Sequence, residues 1–223
     1  MDDSGRIRSS YDAIAGDYAD KVGPELSHKP LDRALLRAFT EMLPDRDSNC
    51  VVADVGCGPG HVTAFLAPLG PRVIGIDVSP GMVETATQRY PDLEFRIGSL
   101  LELDVPDRAL SGVVAMYSLI HLADSEFDMA LRELHRVLRP GGLLLVAIHT
   151  EHLEHSGESV IHMEEWWGHP VDLDFHFRDS NTVKHAVVQM GFAIEAILQR
   201  EPNPEVEAPT RRAYILSRRP MIA

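Results

Sequence analysis

An apolar strand that runs into a glycine-rich turn, with a carboxylate closing the next strand, leaves few folds open to a chain. Here Cys50 to Val55 is a short β-branched run, and Gly56, Cys57, Gly58, Pro59 and Gly60 follow it. A stretch of helix length then leads to a second run, Arg72 to Val78, so the unit reads strand, helix, strand. Glycines permit a tight turn and remove the Cβ atoms that would hold a ligand away from the backbone. Asp77 stands 21 residues after Gly56, at the second strand's end, where a carboxylate can accept from both hydroxyls of a ribose. The pair predicts a parallel sheet with a nucleoside ligand at its carboxyl edge.

The alternation continues along the chain. Leu31 to Leu43 carries helical spacing closed by Pro44, and Ser79-Pro80 reads as the cap and first residue of a helix that buries Met82, Val83 and Ala86. Leu93 to Ile97, Gly112 to Leu119 and Leu143 to Ile148 are further strands, and Phe127 to Leu138 is a helix stopped by Pro140 and Gly141. A last helix from Ser180 stops at Gly191, before strands Phe192 to Leu198 and Ala213 to Ser217. Near-continuous apolar strands such as VVADV and LLLVAI imply a sheet covered on both faces. The fold class is therefore α/β, a doubly wound, Rossmann-like, mostly parallel sheet of seven strands. One domain over 1–223 is expected, with an N-terminal cap at about 1–30 and an insert at about 149–179.

Charge narrows the partners. The chain has 34 acidic against 21 basic residues, a net charge of −13, which opposes the counterion release that drives most nucleic-acid binding. Only Cys50 and Cys57 occur, so no disulfide framework or paired-cysteine zinc motif can be drawn, and a cytoplasmic setting is expected. No apolar signal core or bilayer-length run is present in the sequence, so no membrane partner is expected either. The oligomeric state, monomer or homodimer, stays open.

A dinucleotide fingerprint requires its third glycine at position 61, but that residue is His61 and the glycine falls at 60. Ala53-Asp54-Val55-Gly56-Cys57-Gly58-Pro59-Gly60 instead resembles the first motif of the class I S-adenosylmethionine-dependent methyltransferases. IGIDVSPGMVETA resembles that family's second motif, FRIGSLLELDVPD its third-strand segment, and ELHRVLRPGGLLLVAIH its helix, turn and fifth strand. The resemblance implies S-adenosylmethionine as cofactor and S-adenosylhomocysteine as its product. It assigns Asp54, Gly56, Cys57, Gly58 and Gly60 to the loop, Asp77 and Val78 to the ribose edge, and Met82 to the adenine face. Gly98, Ser99 and Leu100 would read the adenine edge, although the family often has Asp where this chain has Ser99. Tyr11 and Tyr18 resemble the segment folded over the cofactor, with their hydroxyls near its methionine end, and Tyr117 follows the fourth strand beside it.

Methyl transfer from a sulfonium is a direct displacement, so positioning and desolvation can carry most of the rate. A hydroxyl or protonated amine acceptor needs a base, and His121, after the fourth strand, is the candidate catalytic residue. The alternative for it is a histidine that caps a helix or bonds a loop carbonyl. His121, His149, Trp166 and Trp167 are the candidate acceptor-binding residues, the tryptophans as flat apolar walls. His149, His152, His155, His162, His169 and His176 lie among glutamates, but no second cluster of fixed spacing supports a metal, and none is expected. A solvated lid or an inserted hairpin are the readings for this stretch. The activity expected is methyl transfer to a small-molecule acceptor; a cofactor-binding module without catalysis and an NAD-dependent oxidoreductase are the alternatives.

Overall fold

The structure, a computed structural model, describes residues 3–44 and 49–221; the first two residues of the expected cap lie outside it. The chain opens with helix α1 (Asp3–Lys21) and helix α2 (Pro30–Glu41), joined by a 3-10 turn at Glu25–Ser27. Then come β1 (Val51–Val55), α3 (His61–Leu66), β2 (Arg72–Asp77), α4 (Pro80–Arg89), β3 (Glu94–Ile97), β4 (Leu110–Met116), α5 (Asp124–Val137) and β5 (Leu138–His152). A hairpin of β6 (Val160–Trp166) and β7 (His169–His176) precedes α6 (Ser180–Gln189), β8 (Ala193–Arg200) and β9 (Thr210–Arg218). Among the described residues seven strands form one sheet in the order β3-β2-β1-β4-β5-β9-β8. Pairing is parallel from β3 to β5, and β9 runs antiparallel to both of its neighbours.

The two-residue period of each strand sorts its side chains between two cores. Along β4, Val113 and Ala115 point to the face covered by Leu131 and Leu134 of α5 and Val183 and Val187 of α6. Val114 points to the other face, against Leu36 and Phe39 of α2 and Val62 and Leu66 of α3. A third cluster, Ile14 and Ala15 of α1, Met82 of α4, and Val171 and Leu173 of β7, ties cap and hairpin together. Burying each large apolar side chain of these clusters contributes about 1.5–3 kcal/mol, so both helical layers and the cap are held by packing.

Three boundaries differ from the sequence reading. The fourth strand ends at Met116 and not at Leu119, because Tyr117 adopts φ 57° and the chain turns into a 3-10 turn at Leu119–His121. Helix α5 ends at Val137; Leu138 is already extended (ψ 136°) and pairs with Leu110, so Pro140 falls within the strand segment. The stretch after the fifth strand contains a hairpin, one of its two sequence readings, and β5 runs on to His152, which places His149 and His152 on the sheet. The Ser79 cap does form: its Oγ accepts from the Met82 N–H at 3.0 Å.

Candidate functional site

The turn after β1 lies at the sheet's carboxyl edge, and its glycines meet different demands. Gly56 (φ 70°) has no room for a side chain, since a Cβ there would lie 2.1 Å from Ser118 Cβ. Gly58 (φ 52°) faces open space: its nearest neighbour to such a Cβ is a ring carbon of Tyr18 at 3.8 Å. A Cβ on Gly60 would run into the Phe95 ring at 2.7 Å, so that glycine serves packing of the turn against β3. Gly58 thus supplies the backbone floor that a ligand can touch.

Asp77 closes β2 and is buried. Its Oδ2 accepts from the Gly58 N–H at 2.8 Å and its Oδ1 from the Ser79 N–H at 2.9 Å, leaving a further lone pair on each oxygen for a ligand. Burial pushes its carboxyl above the usual carboxylate range, against the pull of those two backbone N–H groups. Val78, Gly98, Ser99, Leu100 and Leu103 line a narrow, largely apolar cleft of about 90 Å³ beside it. The Ser99 hydroxyl accepts from the Leu101 N–H at 3.1 Å, which fixes the loop after β3. Asp54 lies deeper, where its Oδ2 accepts from Thr63 Oγ1 at 2.6 Å; burial raises its pKa to about 6 despite that bond.

Helix α1 roofs the cleft. Asp12 Oδ1 accepts from Ser79 Oγ at 2.6 Å and from the Gly81 N–H at 2.8 Å, pinning α1 to the start of α4. Tyr11 and Tyr18 reach down from it, their ring centroids 5.7 Å apart. His121 Nδ1 lies 2.9 Å from the Asp174 carbonyl and Nε2 lies 2.7 Å from Tyr11 Oη. A carbonyl only accepts, so Nδ1 carries the proton. Burial lowers the His121 pKa to about 4, so the ring is neutral and Nε2 accepts from the Tyr11 hydroxyl.

Tyr11 and Tyr18 also line a second, larger chamber of about 440 Å³, within the range of small-molecule sites. Trp166 and Trp167 of the hairpin form one wall, where Trp167 (φ 54°) and Gly168 (φ 82°) make a tight two-residue turn. Lys21 Nζ sits 4.5 Å from the Trp167 ring centroid. At the opposite wall the Tyr117 and His149 rings stack 4.8 Å apart at 18°. Beneath them lies a set of charges: Lys29 meets Glu25 at 2.5 Å and Glu207 at 3.4 Å, and His61 Nε2 lies 3.0 Å from Glu25. Burial works against ionised Glu25, yet His61 and Lys29 hold it down at about 2. Among the described residues no group of three His, Cys, Asp or Glu could hold a metal ion.

A family sequence model described as a methyltransferase domain matches residues 52–142, the segment from β1 into β5. Over this segment the chain carries a methyltransferase domain and resembles the class I S-adenosylmethionine-dependent methyltransferases. A probable S-adenosylmethionine-dependent methyltransferase of Mycolicibacterium smegmatis is 38% identical over 96 residues, covering 43% of this chain and 37% of that protein. A demethylmenaquinone methyltransferase of Symbiobacterium thermophilum is 32% identical over 146 residues, 61% of this chain and 56% of that one. The matches thus span about a third to just over half the length of these methyltransferases. The solved DhpI-SAH complex shares the fold with a TM-score of 0.72 at 22% identity, over 99% of this chain and 98% of that one.

Most residues that the methyltransferase resemblance singled out come together. Tyr11, Tyr18, Gly56, Gly58, Asp77, Val78, Gly98, Ser99, Leu100, Tyr117 and His121 line the cleft, and Asp54, Cys57, His149, Trp166 and Trp167 line the chamber. Two do not. Met82 is packed under α1 with Ile14 and Leu173, and Gly60 packs on Phe95, so neither borders the space. Sequence reasoning missed Lys29, Glu207 and Arg212, which border the chamber from α2's entry, the β8–β9 loop and β9. No local pattern marks them, because they meet only in the folded chain. His61, at the position that a dinucleotide fingerprint would give to glycine, pairs with Glu25.

Proposed function

We infer that this protein transfers a methyl group from S-adenosylmethionine to a small-molecule acceptor. The observation that carries the reading is a pair of adjoining spaces at the carboxyl edge: a cleft holding Asp77 and the Gly58 backbone, and a larger chamber that shares Tyr11, Tyr18 and Tyr117 with it as lining. The residues fit the cofactor. Gly58 presents bare backbone where a Cβ would intrude, and Asp77 keeps accepting capacity for ribose hydroxyls. Val78, Ser99 and Leu100 would flank the adenine, and Tyr11, Tyr18, Cys57 and Tyr117 the methionine end. When bound, the cofactor supplies an activated methyl group that needs no protein nucleophile.

The chain's own part is to bind, orient and exclude water. α1 and the hairpin close over the space, so the charges inside act in a medium poorer in water than the surface. A small acceptor suits the chamber's size, and the net charge of −13 disfavours nucleic acid. Cys50 and Cys57, buried and outside any disulfide, fit a cytoplasmic setting, and no described helix is long and apolar enough to cross a membrane. The reading also treats α1 as cap and the hairpin as acceptor wall of one domain. Isothermal titration tests it: S-adenosylhomocysteine should bind one equivalent per chain while NAD gives no heat, and the reverse would overturn the reading.

A further inference from the structure

Of the two histidines that the sequence offers for the acceptor, His121 has both ring nitrogens engaged, by the Asp174 carbonyl and Tyr11. His149 does not. Its Nδ1 lies 2.8 Å from Thr210 Oγ1, and among the described residues nothing in the chain bonds its Nε2. The ring lines the chamber, stacked on Tyr117, whose φ of 57° is a conformation that a bulky residue holds only under packing constraint. Tyr117 is fixed from behind by Tyr214, hydroxyl to hydroxyl at 2.7 Å. Two cations stand over the same ring: Lys29 Nζ at 5.3 Å from the Tyr117 centroid and the Arg212 guanidinium carbon at 6.0 Å. Glu25 and Glu207 are the carboxylates nearest these cations, and both already serve them.

We propose that His149 is the hydrogen-bond acceptor for the acceptor molecule, and that the chamber takes a flat ring bearing a weakly acidic hydroxyl, a phenol or enol. This inference rests on the methyl-transfer reading above and names its substrate class. The aromatic walls, Trp166, Trp167 and Tyr18, fit a flat apolar body, while the imidazole nitrogen orients the O–H. Lys29 and Arg212 favour negative charge on the oxygen as it forms, which argues for a hydroxyl and against a cationic amine. Burial and these two cations also keep the imidazole unprotonated, hence able to accept. In the transfer the hydroxyl proton passes to His149 Nε2 as the oxygen bonds the methyl carbon. The methyl–sulfur bond breaks with its electron pair left on sulfur, and the imidazolium returns its proton to solvent.

The test uses 4-nitrophenol as probe with S-adenosylhomocysteine present, and 4-nitrotoluene, which lacks the hydroxyl, as control. The visible absorbance of the bound phenolate should show ionisation at lower pH than in free solution. His149→Phe keeps a ring on Tyr117 but has no accepting nitrogen, and should weaken 4-nitrophenol by about tenfold while changing 4-nitrotoluene by less than about threefold. Equal 4-nitrophenol affinity in both proteins, or an unshifted ionisation, overturns the proposal. If His149→Phe no longer binds S-adenosylhomocysteine, the wild-type preference for 4-nitrophenol over 4-nitrotoluene decides, and one below about threefold overturns it. Failure of the wild-type chain to bind S-adenosylhomocysteine removes the underlying reading and this one with it. Binding of that compound without the probe refutes this one alone.

Discussion

Asp77 holds the glycine loop as well as lining the cleft, and on the proposed function its replacement has two effects. Charge-assisted bonds to ribose hydroxyls are worth roughly 1.5–3 kcal/mol each, so Asp77→Ala should weaken S-adenosylhomocysteine by at least about tenfold in titration calorimetry. The sequence alone suggests that folding would be untouched. The structure corrects this: the N–H groups of Gly58 and Ser79 lose their acceptor, so the ligand-free unfolding midpoint should fall as well. Asp77→Asn keeps the size and one acceptor, and should recover stability more than affinity; equal recovery would make the role purely structural. His121 carries a pH signature. Its folded pKa of about 4 lies below the unfolded value near 6.5, so the unfolded chain binds the extra proton between these limits. Stability is therefore full above about pH 6.5 and is lost as pH falls toward 4, at a cost on the order of 3 kcal/mol. His121→Gln should flatten that part of the stability–pH curve, as chemical denaturation at several pH values would reveal.

At the scale of elements, the roof depends on surface pairs. Arg6 of α1 reaches Asp172 at 2.7 Å and Asp174 at 3.2 Å on β7, and His169 at the start of β7 lies 3.5 Å from Asp17. Such exposed pairs contribute about 0–1 kcal/mol each, so Arg6→Ala should leave the global midpoint almost unchanged. It should raise amide hydrogen exchange in α1 and the hairpin selectively, since the half-buried Ile7 and Phe175 are their contacts with the main sheet core. Unaltered exchange would show that the Asp12 hydrogen bonds and the packing of Ile14 and Leu173 hold α1 without Arg6. The strands, helices and glycine loop were legible in the sequence because each rests on spacing within a few residues. The boundary errors fall where tertiary contact overrides spacing: Leu138 leaves its helical pattern to pair with Leu110, and Tyr117 turns where Ser118 closes on Gly56.

Across the whole molecule, the least legible part is the charge set under the chamber. Glu207 takes both Arg200 amino nitrogens at 2.7 Å, accepts from the Asn203 N–H at 2.7 Å, and lies 3.5 Å from Arg212 Nε. Asp32 of α2 joins it by accepting from Tyr214 at 2.8 Å and Arg200 at 3.1 Å. In the sequence Glu207 is only part of an acidic, proline-rich loop, and nothing near it predicts its burial. Glu207→Ala would strand buried cations and should cost about 3–5 kcal/mol, read as a lowered denaturant midpoint. A loss below about 1 kcal/mol, the level of a surface pair, would mean that water enters the set freely. The site's histidines were similarly visible as residues but not as roles, since Asp174 and Thr210 decide which ring nitrogen is spent.

The joining of cap and hairpin bears on how the chain is made. During synthesis α1 leaves the ribosome before the sheet, yet the surface that covers Ile14, formed by Met82 and by Val171 and Leu173 of β7, is completed only after β5 has been added. The floor of the cleft, built from β1, β2 and β4, can therefore assemble on the nascent chain while its roof still hangs loose. A growing polypeptide would pass through a stage that has the cleft's floor but lacks the chamber's aromatic wall. The acceptor side is then the last part of the molecule to take shape.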